Sequence, residues 1–156
     1  EIRVDSAFKK VIRTCATKSR EGQTGTWIVP DMINAYIDLH AAGHAHSVET
    51  WINGQLVGGL YCVAIGQAVF GESMFAHTSD ASKIALSALV GLCSHHGIEL
   101  IDCQQNTRHL ASLGGREIPR AEFLLHVEKA RHQPPIPWVF DPVYWNALLP
   151  STAPKA

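Results

Sequence analysis

No feature of the chain restricts its fold as strongly as Asn53-Gly54, set between two alternating apolar runs. Both residues tolerate positive φ, so Ser47 to Ile52 and Gln55 to Ile65 read as the arms of a tight antiparallel hairpin. Gly58-Gly59 inside the second arm predicts a bulge or the close approach of another backbone or ligand. A third strand, Gln67 to Phe75, is entered through Gly66. Ser79 or Asp80 then caps a long helix that runs to about His96 and stops at Gly97. Ile98 to Gln104 is a short apolar strand. A helix between two strands predicts a right-handed crossover joining parallel neighbours.

The flanking segments are helical. Phe8, Val11, Ile12 and Cys15 recur at helical spacing, so residues 6–17 form an amphipathic helix with Lys9, Lys10 and Arg13 off the apolar stripe. Ser19 to Gly25 is a polar loop. A second helix begins near Pro30, buries Ile33, Tyr36, Ile37 and His40, and ends at Gly43. Thr107 caps a helix ending at Gly114-Gly115, and another runs from about Pro119 to His132. Gln133-Pro134-Pro135 stops it, and the Pro- and aromatic-rich tail, residues 133–156, is expected to pack over the core edge. The fold class is therefore α+β (mixed α/β), a central mixed sheet flanked by helices.

With 156 residues, 46% hydrophobic and 17% charged, the chain has enough apolar surface for one domain. Disorder, collagen, coiled coil and a disulfide scaffold are excluded. No run approaches the roughly 18 apolar residues of a membrane span, and residues 1–20 lack the form of a signal peptide. Cys15, Cys62, Cys93 and Cys103 lie apart in apolar surroundings, which reads as four free thiols in a reducing cytoplasm. A net charge of −1 gives no global case for nucleic-acid binding. The distribution says more than the sum. Residues 1–20 are basic, whereas residues 21–82 hold no Lys or Arg but six carboxylates, Glu21, Asp31, Asp38, Glu49, Glu72 and Asp80. Two surfaces with different partners are implied, the basic helix face (Lys9, Lys10, Arg13) being the one suited to phosphates.

Several constellations invite chemistry. His40, His44 and His46 suggest zinc, but Gly43 interrupts the helix between the first two and no HExxH signature is present, so no metal is expected. His95-His96 suit the C-terminal end of a helix dipole. Cys103 with His109 is a candidate thiol–imidazole pair, weighed against an inert buried cysteine. Asp102 ends an apolar strand, and period-two alternation places Gln104 on its face. Its bland role would be to cap the Thr107 turn. Glu72 shares a face with Phe70 and Met74 by the same alternation. A carboxylate in an apolar row needs a cation, from an internal Lys or Arg or from a ligand.

The runs Leu39-His40-Ala41-Ala42-Gly43-His44-Ala45-His46-Ser47-Val48-Glu49, Val57-Gly58-Gly59-Leu60-Tyr61 and Phe70-Gly71-Glu72-Ser73-Met74-Phe75 are distinctive in combination. They are followed by Asp80-Ala81-Ser82-Lys83, Leu100-Ile101-Asp102-Cys103-Gln104, Ala111-Ser112-Leu113-Gly114 and Glu117-Ile118-Pro119-Arg120. In collinear order over nearly the whole chain, these resemble the leucyl/phenylalanyl-tRNA–protein transferases of bacteria. The resemblance implies a GNAT-like acyltransferase domain that moves Leu or Phe, and by extension Met, from aminoacyl-tRNA to the N-terminal Arg or Lys of a protein. The product carries an N-terminal degradation signal. It further implies Asp102 and Gln104 as the catalytic pair and Glu72 as a holder of the basic acceptor. Leu60, Met74, Leu86, Leu89 and Ile101 are implied to line the donor pocket, with Trp27 near the substrates. No cofactor and no membrane partner are implied, and the chain is expected to act as a monomer. The family places a smaller domain before this region, so the chain is expected to be the later part of a longer protein. The aromatic platform for the tRNA's terminal adenosine is expected in that earlier domain.

Alternation sets Ile101 and Asp102 on opposite faces, while the resemblance asks both to reach substrates. Either the pocket wraps the strand edge or a bulge alters the phase. Two rival functions stay open at this stage. A coenzyme-A N-acetyltransferase would share the fold, but the turn entering the long helix, Ala76 to Ser82, has no glycine and carries Asp80. A non-catalytic module for basic protein N-termini would need Glu72 but neither the donor pocket nor Asp102 and Gln104.

Overall fold

The computed structural model describes residues 1–17 and 27–149. The expected loop from Ser19 to Gly25, the basic residues Lys18 and Arg20, and the last residues of the tail lie outside them. A five-stranded sheet has the order β1 (Ile2–Val4), β2 (Ala45–Ile52), β3 (Gln55–Ile65), β4 (Ala68–Ala76), β5 (Ile101–Asp102). The first four are antiparallel in sequence, and β5 lies parallel to β4. The expected mixed α+β arrangement is thus present. The hairpin turns where predicted, with Asn53 at φ 49° and Gly54 at φ 75°.

Helices cover both faces. On one side α1 (Phe8–Thr17) buries Phe8, Val11, Ile12 and Cys15 against Leu56, Tyr61 and Phe75. Beside it lies α2 (Pro30–Ala41), whose Ile33, Tyr36, Ile37 and His40 are half-buried rather than buried, because its outer side faces solvent. On the other side α3 (Ala81–His95) packs Ala85, Leu89 and Leu92 over Val48, Leu60 and Cys62. Gly58 makes this possible. A Cβ there would stand 2.5 Å from the Ala81 Cβ and 2.7 Å from its carbonyl carbon, so the first turn of α3 rests on bare backbone. The expected bulge is beside it: Thr50 pairs with Gly58 but Trp51 with Leu56, which leaves Val57 extra.

Two expectations need correction. The strand predicted over Ile98 to Gln104 shrinks to two residues, since Gln104 takes φ 60° and leaves the ladder. Asp80 stands at the N-cap of α3 but at φ 62°, and its carboxylate takes Lys83 Nζ at 2.5 Å instead of capping. Thr107 caps α4 (Arg108–Ser112) as expected, its hydroxyl accepting the Leu110 amide, and Asp102, the alternative weighed for that cap, has no part in it. α5 (Arg120–Ala130) follows, and its Leu125 is 73% exposed. The tail does pack over the core edge. Ile136 and Tyr144 are buried against the α3 side, and Tyr144 belongs to a 3₁₀ segment, Pro142–Leu148.

Two polar clusters tie the first residues to β2. Asp5 accepts the Ser47 amide (2.8 Å) and pairs with His46 Nδ1 (2.7 Å), whose ring stacks on Trp138 of the tail. Glu49 is fully buried, and its carboxylate accepts from Ala7 N (2.7 Å), Ser47 Oγ (2.8 Å), Trp51 Nε1 (3.0 Å) and Ser6 Oγ. Ala7 precedes α1, so this anion also sits at that helix's positive end. Among the described residues no helix is long and apolar enough to cross a membrane.

Candidate active site

The site is organised by a second bulge. Tyr61 pairs with Ser73 and Cys62 with Gly71, so Glu72 is the extra residue of β4. The bulge resets the alternation, and this overturns the expectation that Glu72 shares a face with Met74. Met74 packs with Leu60 and the α3 side, whereas Glu72 turns to the opposite face and accepts the Tyr36 hydroxyl at 2.9 Å. Tyr36 stands edge-on to Tyr61 (5.1 Å) and to Trp27 (6.4 Å). Burial, and then the Glu72 carboxylate, pushes the Tyr36 phenol well above its ordinary value, so it remains a donor at any working pH. Among the described residues no Lys or Arg pairs with Glu72. A half-buried carboxylate, one phenol and an exposed indole therefore lie together on this face of the sheet, a negative and aromatic grouping suited to a cation.

Asp102 ends β5 and Gln104 lies just beyond it, next to the bulge that carries Glu72. Asp102 lies opposite Phe70, and its Oδ1 accepts the Gln104 amide at 2.8 Å. That Asx-type contact holds Gln104 in its left-handed conformation, which a non-glycine residue adopts only at some cost. The side chain of Gln104 then reaches across the strand gap, where Nε2 donates to the Gly71 carbonyl at 3.0 Å. Glu72 follows Gly71 directly. One amide thus bridges the end of β5 to the bulge of β4, and its Oε1 is left to accept from a ligand. Asp102 acts on the backbone of Gln104 and not on its side-chain amide.

The apolar residues named from the sequence fall into one cluster. Leu60, Leu86 and Leu89 are buried, with Met74 and Ile101 half-buried beside them. Leu86 and Ile101 also line a cavity of about 320 Å³ with Val90, Ile98, Leu110 and Leu113, whereas Leu60 and Leu89 lie behind that wall. A wider cleft of about 810 Å³ adjoins it and shares Ile101, Cys103 and Leu110. Ile101 faces the apolar cavity and Asp102 the other face, so alternation holds at β5. Both reach the cleft because β5 is the sheet's edge and the cleft wraps it.

Sequence reasoning missed Tyr36, read as core, and the α4 wall made by Leu110 and Leu113. Other candidates resolve differently. Cys103 points its thiol at the Ile101 carbonyl (3.7 Å), and burial, with Asp102 beside it, pushes the thiol up, away from a reactive thiolate. His46 is held by Asp5, and His40 Nδ1 by the Ala45 carbonyl at 2.8 Å. Lys9, Lys10 and Arg13 are exposed on α1, where Lys10 lies 5.9 Å from the Trp51 ring.

Fold and site together define a mixed α/β domain in which a fixed Asp–Gln turn lines an open cleft beside an apolar cavity and ties to the bulge that carries Glu72. The chain belongs to the leucyl/phenylalanyl-tRNA protein transferase family, whose model matches residues 1–128. It is 62% identical over 154 residues to the leucyl/phenylalanyl-tRNA–protein transferase of Polaromonas sp., covering 99% of this chain and 60% of that protein. The protein of the same name from Albidiferax ferrireducens is 62% identical over 149 residues, 96% of this chain and 59% of that one. The one from Burkholderia multivorans is 58% identical over 156 residues, all of this chain and 61% of its own. The chain thus spans about three fifths of the length of the curated relatives it matches.

Proposed function

We propose that residues 1–156 form one GNAT-like acyltransferase domain that transfers Leu, Phe or Met from aminoacyl-tRNA to the N-terminal Arg or Lys of a protein in the cytoplasm. The new N-terminus then marks that protein for degradation. The observation that carries this reading is the Gln104 bridge: Gln104 lines the cleft that adjoins an apolar cavity, and its amide ties to Gly71, next to the Glu72–Tyr36 pair. The cavity fits a large apolar side chain and the Glu72–Tyr36 pair a cationic N-terminal residue. A coenzyme-A acetyltransferase is disfavoured by Asp80 and its partner Lys83 at the first turn of α3, where a pyrophosphate would need free amides.

The chemistry asks little of a base. About a tenth of an α-amine of ordinary pKa is neutral at pH 7, and recovering that form costs about 1.4 kcal/mol. The amine attacks the ester carbonyl carbon, the bond to the tRNA 3′-oxygen breaks, and the amine's surplus proton passes to that oxygen through water. Gln104 Oε1 accepts a hydrogen bond from the attacking amine and fixes its approach. Asp102 is the positioning residue, through its hold on the Gln104 backbone. Orientation of this kind is worth roughly 7–11 kcal/mol, more than a proton shuttle supplies. Apolar walls separate Leu, Phe and Met poorly, since a methylene discriminates by only about 1–3 kcal/mol.

The test is single-turnover transfer of radiolabelled Leu from charged tRNA to an N-terminal Arg peptide, with this chain and with a full-length form of the relatives' size. Asp102→Ala and Gln104→Ala are expected to slow transfer by at least about a hundredfold. Asp102→Asn keeps an acceptor oxygen and is expected to retain most of the rate. Wild-type rates in Asp102→Ala and Gln104→Ala would remove the assignment, and an Asn variant as slow as Ala would move Asp102 from positioning to charge stabilisation.

A further inference from the structure

The wide cleft has a second wall that the reading above leaves without a role. Gly114 at φ 94° turns the chain out of α4, and a Cβ at Gly115 would meet the Leu110 carbonyl oxygen at 2.9 Å, so the turn is tightly seated. Residues 115–119 then run without helix or strand to α5, along the edge of the cleft. Arg116 of this strap and Arg120, the first residue of α5, line the same cleft as Asp102 and Gln104. Arg3 and Arg131 are tied to Glu1 and Glu128, but among the described residues neither cleft arginine has a carboxylate partner. Carboxylates do line the same space. Glu117 accepts Asn106 Nδ2 at 2.9 Å, which ties the strap to the β5 loop, and Asp102 accepts the Gln104 amide. Both are occupied, which leaves Glu99 at the entrance to β5 as the free one.

We propose that Arg116 and Arg120 form a phosphate subsite that holds the phosphodiester on the 5′ side of the donor's terminal nucleoside. This rests on the transfer reading and names the part of the donor that the open cleft takes. The apolar cavity and the cleft are continuous at Ile101, Cys103 and Leu110. With the aminoacyl side chain in the cavity, the rest of the donor has the adjoining open cleft, which Gln104 and both arginines line. The donor's nearest anions are its phosphates, and a pair of guanidinium groups offers the forked donors that phosphate oxygens accept. The acceptor end is cationic and is drawn to Glu72 instead.

The test is direct binding of a non-hydrolysable 3′-amide-linked phenylalanyl-adenosine, with and without a 5′-phosphate, to the wild-type chain and to Arg116→Ala/Arg120→Ala. The phosphate is expected to tighten wild-type binding roughly tenfold at low salt, and this gain is expected to vanish in the double variant. Affinity for the phosphate-free analogue should stay the same in both, which also reports an intact fold. Added salt should erode the phosphate gain in the wild type by screening, and should change binding of the phosphorylated analogue much less in the variant. No phosphate gain in the wild type, or a gain that survives in the variant, overturns the subsite. Either outcome with transfer from charged tRNA still measurable leaves the reaction standing, whereas loss of transfer with the phosphate gain intact removes the reaction and keeps the subsite.

Discussion

Glu49→Gln is a stringent probe of how this fold is held together. The carboxylate is fully buried, and each of its oxygens accepts one N–H and one hydroxyl. Oε1 takes Ala7 N and Ser47 Oγ, while Oε2 takes Trp51 Nε1 and Ser6 Oγ. Hydroxyls can rotate to accept, so an amide NH₂ facing Ser47 or Ser6 is tolerable. An N–H cannot. Whichever way the glutamine amide is turned, its NH₂ opposes either the Ala7 or the Trp51 N–H. One donor and one amide hydrogen are then left unmade in a dry site, at about 1–3 kcal/mol each. Loss of the anion at the start of α1 adds about 0.3–1 kcal/mol. We expect Glu49→Gln to cost about 3–4 kcal/mol, against a total stability of order 5–15 kcal/mol for a domain. Ser47→Ala removes one donor from an anion that keeps three, and should cost about 1 kcal/mol. The assay is urea unfolding of both variants and the wild type at pH 7, read by tryptophan fluorescence. A Glu49→Gln midpoint within about 0.5 kcal/mol of wild type, or a larger cost for Ser47→Ala, would refute the reasoning.

Gly58→Ala forces α3 off β3, because the new Cβ meets the Ala81 backbone at 2.7 Å. A cost of at least about 2 kcal/mol is expected, seen as a fall in melting temperature of about 5 °C, and an unchanged melt would contradict the close packing. Cys93 is pushed up from 9.0 to about 12 by burial, and Cys62 is also driven well up. Because the raised value belongs to the folded state, stability should hold through neutral pH and decline as pH climbs past the ordinary thiol value toward about 12. Denaturant midpoints across pH 7–11 check this, with Cys93→Ser expected to flatten the alkaline fall. Tyr36→Phe removes the only hydroxyl bonded to Glu72 among the described residues. It should raise KM for an N-terminal Arg peptide about three- to tenfold and leave KM for charged tRNA alone, and a change confined to the donor would misplace the acceptor pocket.

Much of the architecture was legible one segment at a time. Asn53-Gly54 specified its own turn, since only positive φ at both positions matches the twist of the strands, and the stripe Phe8, Val11, Ile12, Cys15 marked the buried face of α1. Gly58 announced a close contact without naming the partner, Ala81, which lies 23 positions along the chain. Where reading by alternation went wrong, the cause was register. Period two carried across Glu72 puts it with Met74, but pairing with β3 inserts an extra residue there and sends the two side chains to opposite faces. A bulge is settled by what the neighbouring strand offers, and β4 alone does not contain that information.

The same division applies to the site. Sequence by itself determined the hairpin, the strand after it and the long helix, the absence of Lys and Arg from residues 21–82, and the motif order that the family shares, whereas β1 went unread and β5 was read too long. Those depend on local backbone preference and on residue identity, which a linear string carries in full. Only the tertiary structure decided that Tyr36 of α2 holds Glu72, that Asp102 grips the backbone of Gln104 rather than its amide, and that this amide anchors on Gly71. Each of these is a contact between elements or a left-handed kink beyond a strand end. Its geometry follows from how the sheet, its bulge and the flanking helices pack, which residue spacing does not encode.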